Sequence, residues 1–370
     1  MSTLKVDSLV NGGKTIDFTY NAKVSNGTLK KEYYEQSTEP AYPCDGALWF
    51  NTSDDTFHIY ANNAWYATTA TQIILLWYGA RGVIGGGLSG PKNTMEYVTI
   101  DTTGNATDFG DLTTSRYGPA GCSDGSRGLF AGGDTGGATN TNTIDYITVA
   151  NTGNATDFGD LTRTPATLGA CSNGVRGVFA GGYVNDGYTS TNTMDYVTIA
   201  TTGNAQDFGD LSSAAQTTAG LADSTRGVFA LGNTSTTVDT MDYITINTTG
   251  NATDFGDLTL ARYGGGGCSS QTRGVFGGGR EQSWPSASNV IDYITIANAG
   301  NATDFGDLTL SRTYMPAFSN AVRGCFVGGF LASGSFNDTI DYITIDTPGN
   351  ATDFGNLSGA TGYGAGLSGT

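Results

Sequence analysis

From residue 81 onward the chain is written in short runs of alternating apolar and polar residues, each stopped by Gly, Asn or Thr before it reaches helical length. Between residues 168 and 211 four such runs follow one another: "LGACS", "RGVFAGG", "MDYVTIA" and "AQDFGDL". Turn signals separate them, "NG" at Asn173-Gly174 and "TTGN" at 201–204. Alternation over so few residues predicts strands, and the turns predict an antiparallel meander.

This unit recurs. "RG" followed by apolar residues stands at Arg81, Arg127, Arg176, Arg226, Arg273 and Arg323, spaced 46, 49, 50, 47 and 50 residues apart. An acid-Tyr pair follows each time, at Tyr97, Tyr146, Tyr196, Tyr243, Tyr293 and Tyr342. The nine residues "GNATDFGDL" at 104–112 return almost unchanged, with Phe109, Phe158, Phe208, Phe255, Phe305 and Phe354 at their centres. A four-stranded unit repeating about every 40–50 residues predicts a β-propeller, with the nine-residue phrase as the outer strand of each blade and its turn. The last three runs occur six times, beginning at Arg81, whereas the first run precedes only copies two to six. It appears once more at the C-terminus, as "GYGAGLSG" at 362–369. A C-terminal strand is therefore expected to complete the first blade and close a six-bladed ring.

Ahead of the repeats, "GALWFNTSDDTFHIYANNAWYATT" at 46–69 predicts a β-hairpin with a short third strand. Leu48 and Phe50 share one face of its first strand, and Phe57 and Ile59 one face of its second. The predicted organisation is an N-terminal module over 1–70, a linker or extra strand over 71–80 containing "IILLWYG", and the ring over 81–370. About 70 residues form a marginal core alone, which points to a partner chain for the first module.

Composition fits an all-β chain with many turns: Gly contributes 56 residues, and only 14% of residues are charged. Net charge is −17, with five Lys against eight acids in the first 70 residues and the rest of the deficit beyond them. Such a surface repels phosphate backbones and argues against nucleic-acid binding. No apolar run reaches the length of a membrane span or a signal-peptide core. The sole histidine, His58, rules out a His-based metal site or a Ser-His-Asp triad in the repeats. Cys122, Cys171 and Cys268 occupy equivalent repeat positions and read as small buried residues, not disulfides or metal ligands. The six "DFG" triplets lack the other parts of a kinase. No cofactor is expected.

Two resemblances sharpen this reading. The glycine pairs Gly132-Gly133, Gly181-Gly182 and Gly328-Gly329 resemble the diglycine of kelch-type propellers; copy four departs with Leu231-Gly232, and the kelch Trp after the Tyr is missing. The opening "MSTLKVDSLVNGG" and the "GALWFNTSDDTFHIY" hairpin resemble the N-terminal modules of tailed-phage fibre and virion proteins. That second resemblance implies a virion structural or host-adhesion protein made in the host cytoplasm. It also implies anchoring to other virion proteins through residues 1–70, and a homotrimer.

Candidate sites divide in two. The Arg that opens the second run and the Asp of "TDFGD" that opens the fourth lie at the same end of a meander. Structural charge pairs are thus expected between Arg81, Arg127, Arg176, Arg226, Arg273, Arg323 and Asp108, Asp157, Asp207, Asp254, Asp304, Asp353. Calcium held by the Asp-rich turns is the competing reading, without EF-hand spacing to support it. The loops between second and third runs vary, at 183–192, 280–289 and 330–338, and bring Tyr183, Tyr188, Arg280, Trp284, Phe330 and Phe336 to one face. Aromatic faces flanked by Asn, Ser and Asp suit the stacking and hydrogen bonding of sugars. The chain enters the ring at the opposite face, so these loops point away from the anchor.

The function expected is a non-enzymatic virion protein, a tail fibre or related appendage, whose propeller contacts a host-surface glycan or protein. A non-adhesive connector packed against other virion proteins is the first alternative. A propeller glycosidase, using the acids Glu96, Asp145, Asp195, Asp242, Asp292 and Asp341, is the second.

Overall fold

The computed structural model describes residues 79–369, apart from 138, 185–188, 217, 231, 235 and 283–285, together with six strand segments before residue 79. Residues 71–78, and with them most of the predicted linker, lie outside the described residues. Two compact units divide the chain, Met1–Leu75 and Leu76–Thr370. All regular elements among the described residues are strands.

In the first unit Leu4–Asn11 and Lys14–Tyr20 pair as an antiparallel hairpin. A second sheet joins Leu48–Asn51, Thr56–Ala61 and Ala64–Thr68 as the predicted meander, with Phe50 opposite Phe57 and Leu48 opposite Ile59. The meander gains a fourth strand that the pattern did not indicate, Tyr33–Gln36, parallel to Leu48–Asn51.

The second unit holds six four-stranded antiparallel sheets of one pattern, here numbered I to VI. Sheet I takes its first strand from the end of the chain: Ala365–Gly369 pairs with Arg81–Gly85, followed by Lys92–Thr99 and Thr107–Arg116. Sheet II is Ala120–Ser123, Arg127–Ala131, Thr143–Thr148 and Thr156–Asp160. Sheets III to VI begin at Gly169, Ala219, Gly266 and Ala317 and repeat the order. Burial explains the pattern read in the sequence. Second strands such as Arg176–Ala180 are buried on both faces, so they read as continuous apolar runs, while fourth strands such as Gln206–Asp210 bury little beyond their Phe. Six apolar cores result, each shared by two successive sheets, and the core of Ile84, Val98, Phe318 and Val327 joins VI back to I.

Three contacts recur at every junction. The Gly of "RG" faces the first strand of the preceding sheet so closely that a Cβ at Gly177 would lie 2.7 Å from the Cys122 sulfur; Gly227 meets Cys171 and Gly324 meets Cys268 in the same way. These cysteines are therefore buried packing residues with free thiols, and burial pushes the Cys268 thiol up to about 12. The second contact explains the nine-residue phrase. Gly203 and Ala205 donate backbone hydrogen bonds to Phe158 and Asp160 of the preceding sheet, and the Asn204 side chain accepts from the Asp160 N–H at 3.1 Å. "GNA" of one sheet thus buckles onto "DFGD" of the sheet before it. The same bonds close the cycle, Gly104 to Phe354 and the Asn356 N–H to Asn105. The Gly of "DFG" sits at a register shift with positive φ, +144° at Gly159, where no side chain fits against the incoming Gly203 carbonyl.

The third contact corrects an expectation. The repeat arginines do not pair with the aspartates of "TDFGD". The guanidiniums of Arg81, Arg127, Arg176, Arg226, Arg273 and Arg323 lie 4.2–4.7 Å over Tyr97, Tyr146, Tyr196, Tyr243, Tyr293 and Tyr342. Each then donates to a carbonyl of the next sheet, Arg81 to Val149 and, closing the cycle, Arg323 to Ile100, both at 2.9 Å. Register explains the miss. Arg127 opposes Thr148, whereas Asp157 opposes Asp145, three positions away and hence on the other face. Asp108, Asp157, Asp207, Asp254, Asp304 and Asp353 are exposed.

Ion pairs do occur, but deeper. Arg116, the last residue of the fourth strand of sheet I, and Arg262 and Arg312, from the segments that link successive sheets, reach the third-strand acids Asp145, Asp292 and Asp341 at 2.7–2.8 Å, with every partner fully buried.

Candidate functional site

Two sets of loops meet on one face of the six sheets: the linking loops, from a fourth strand to the next first strand, and the hairpin loops, from second to third strands. They are stitched together residue by residue. Tyr117 bridges Asp134, Ala166 pairs with Tyr183, Gln216 bridges Asn233, Tyr263 bridges Arg280, Thr313 pairs with Phe330, and Gly362 bridges Leu88. Tyr183, Arg280 and Phe330 thus occupy equivalent places beside the point where the six first strands converge.

A funnel opens there, about 620 Å³ counting the space open to solvent. All six linking loops line it, mostly with glycine and alanine, together with Tyr314 and Tyr363. Its rim is built by one backbone position repeated. Gly118, Thr167, Gly264, Tyr314 and Tyr363 all adopt left-handed backbone, with φ between 53° and 71°. In that conformation the N–H of four of them turns sideways to the neighbouring loop. Thr167 donates to Gly118 (2.7 Å), Gly118 to Tyr363 (2.6 Å), Tyr363 to Tyr314 (2.7 Å), and Tyr314 to Gly264. Glycine makes this bend without cost, whereas Thr and Tyr are strained by roughly 1–2 kcal/mol each.

The tyrosines form an arc. Tyr314 and Tyr363 stack with ring centroids 3.9 Å apart and planes 16° from parallel. Tyr117 meets the Tyr363 ring edge-on at 6.0 Å, and Tyr263 meets Tyr314 at 6.1 Å. Beyond Tyr263 the Arg280 guanidinium lies 5.7 Å from its ring; beyond Tyr117 the phenol donates to buried Asp134 at 2.6 Å. Burial and the adjacent Tyr314 hydroxyl push the Tyr263 phenol up to about 12, and burial raises Tyr363 further, so both are neutral donors at physiological pH. Half-buried rings and backbone polar groups around a funnel offer stacking faces ringed by hydrogen-bonding groups.

Of the loop residues singled out in the sequence, Arg280 joins this arc. Tyr183 is buried, 5% exposed, and its hydroxyl donates to Asp134 at 3.1 Å, which makes it a support for Tyr117 and not a contact surface. Phe330 and Phe336 pack edge-on at 5.1 Å on the hairpin loop of sheet VI. Trp284 and Tyr188 lie outside the described residues. Sequence reasoning overlooked Tyr117, Tyr263, Tyr314 and Tyr363 because it weighed only the loops that vary most. The available signal was a Tyr at or beside the position after the buried Arg, in "SRY", "ARY" and "SRTY".

Two of the third-strand acids are occupied structurally: Asp145 accepts from the Thr113 hydroxyl (2.6 Å) as well as Arg116, and Asp341 from the Thr309 hydroxyl (2.6 Å) as well as Arg312. Among the described residues no three His, Cys, Asp or Glu side chains are grouped to hold a metal ion. No family model matches the chain, and no curated protein is similar to it.

Proposed function

We propose that the second unit is a six-bladed, kelch-like propeller acting as the recognition head of a phage tail fibre or related virion appendage. On this reading the first unit anchors the chain to other virion proteins, and the tyrosine arc receives a host-surface glycan. Support for the architecture comes from the cycle of six sheets, whose Arg, Gly and "GNA" contacts run from VI back to I.

One observation carries the recognition role. At a backbone position that glycine fills without strain in two linking loops, two others hold Tyr314 and Tyr363 in left-handed conformation and stack them at the funnel mouth. Strain kept where glycine would relieve it argues that the side chain is wanted there. The engagement of Asp145 and Asp341 in buried pairs supports an architectural use of the third-strand acids over a glycosidase.

The test is a bacterial-glycan array probed with the full chain and with Tyr314→Gly and Tyr363→Gly, substitutions that the backbone accepts. Loss of at least tenfold in binding in both variants, with melting not lowered, is expected. Binding that survives both substitutions removes the arc from recognition, and silence across the array favours the connector.

A further inference from the structure

Sheet IV breaks a rule that its neighbours keep. In sheets II, V and VI the third-strand Asp receives a guanidinium from the chain just ahead of its sheet: Arg116 for Asp145, Arg262 for Asp292, Arg312 for Asp341. Each guanidinium also donates to backbone carbonyls, Arg312 to those of Phe326, Gly328 and Thr339. In sheet III the equivalent residue is Pro165, and Arg163, two residues earlier, brings its guanidinium to the matching carbonyls of Gly181 and Thr193. Four sheets thus fill one place with one chemical group.

In sheet IV that position is Ala215, and no arginine lies nearby in its loop, 211–216. A cavity of about 460 Å³, counting its open mouth, takes the corresponding place. It is lined by Ser212, Ala215, Phe229, Thr234, Thr240 and Asp242. Phe229 and Thr240 are the counterparts of Phe326 and Thr339, whose carbonyls hold the Arg312 guanidinium. Asp242 is 7% exposed. One carboxylate oxygen accepts from the Ser212 N–H (2.9 Å) and hydroxyl (2.8 Å); the other, fully buried, has no hydrogen-bond partner among the described residues. An orphaned carboxylate oxygen in a cavity calls for a donor, and four of the other five sheets show which donor geometry suits it.

We infer that this cavity is a receptor for an alkylguanidinium group supplied from outside the chain. Asp242 provides the counter-charge, and the sheet IV backbone provides the carbonyl acceptors. The cavity lies at the face that carries the hairpin loops, since Thr234 and Val238 of the sheet IV loop help to line it. The group can arrive as a free small cation or as the arginine side chain of a polypeptide.

The test titrates the full chain with methylguanidinium and, separately, with acetyl-Gly-Arg-Gly-amide, by calorimetry and by thermal shift. Sodium and tetramethylammonium chloride at equal ionic strength serve as controls. Saturable millimolar binding of methylguanidinium, at least tenfold weaker in Asp242→Asn, is expected. Ala215→Arg, which places the guanidinium in cis, should abolish the binding and raise the melting temperature. Equal affinity for the peptide assigns the site to an arginine side chain; binding of methylguanidinium alone assigns it to a small cation. Effects matched by tetramethylammonium, or unchanged in Ala215→Arg, overturn the inference, and that variant keeps it refutable even if Asp242→Asn fails to fold.

Discussion

Removing one buried guanidinium tests whether the linking-loop arginines hold the sheets together. Arg312 is fully buried, pairs with Asp341 at 2.8 Å and donates to three carbonyls. Arg312→Met keeps most of the apolar stem but leaves a buried carboxylate that retains only the Thr309 donors. Breaking a buried pair from one side costs about 3–5 kcal/mol. The carboxylate can escape by taking up a proton, and holding it neutral at pH 7 costs about 4 kcal/mol from an ordinary value near 3.9, which sets the upper limit. The expected loss is therefore about 3–4 kcal/mol at pH 7. Its pH dependence has a definite sign. A buried carboxylate stripped of its counter-charge is relieved by taking up a proton, so the loss is largest at neutral pH and shrinks as pH falls. Urea unfolding at pH 5 and pH 7, followed by fluorescence, should thus show the gap from wild type shrinking on acidification. Arg312→Met with Asp341→Asn should recover part of it, since the charge left behind is gone. A loss below about 1 kcal/mol at both pH values, or a gap that widens in acid, would refute the reasoning.

Three further outcomes follow from single contacts. Gly159→Ala should destabilise by at least about 2 kcal/mol more than Gly153→Ala: both residues have positive φ, but only at Gly159 does a Cβ fall 2.5 Å from the Gly203 carbonyl. Equal urea midpoints would remove the "GNA" buckle as a sheet-to-sheet lock. Thr167→Gly should stabilise by about 1 kcal/mol, because Thr167 has φ of 53° and a buried hydroxyl with no partner among the described residues; a lower melting temperature would show that its side chain packs usefully. Burial raises the Asp242 carboxyl above its ordinary value, so its ionisation weakens the wild type as pH rises above about 4. Asp242→Asn should flatten that fall and stabilise the chain at pH 7; an unchanged stability–pH curve would contradict it.

The sheets were legible because their cause is local. Runs such as "RGVFA" are buried on both faces, "MDYVTI" buries its Met, Asp, Val and Ile, and the turns between them announce themselves in Gly, Asn and Thr. The return of the first run at 362–369 identified the closing strand, now paired with Arg81–Gly85. Partnership across sheets was not legible. That Arg127 stacks on Tyr146 and reaches Ile199, instead of meeting Asp157, follows from strand register and from which sheet comes next, neither of which a run of letters states. The linking-loop arginines were missed for the same reason: "SRY" and "ARY" look like turn residues until the loop folds them inward.

A repeat carries its own control, and that changes what its exceptions mean. Six copies built on one backbone make each position comparable with its equivalents, free of differences in fold. Where Gly118 and Gly264 take the left-handed bend without strain, Tyr314 and Tyr363 take it at a cost, so the cost has to be set against what their rings do. Where Arg116, Arg262 and Arg312 neutralise their partners, Asp242 sits beside Ala215 with one oxygen unmatched. Both exceptions occur in linking loops, on the face away from the "GNA" buckles that lock one sheet to the next. On that face the copies differ without opening the cycle, because the Arg, Gly and "GNA" contacts that close it lie at the other end of the strands. Tyr314, Tyr363 and Ala215 are therefore places where binding is to be sought, and each is testable by giving it the residue of an equivalent copy: glycine at 314 and 363, as at 118 and 264, and arginine at 215, as at 116, 262 and 312.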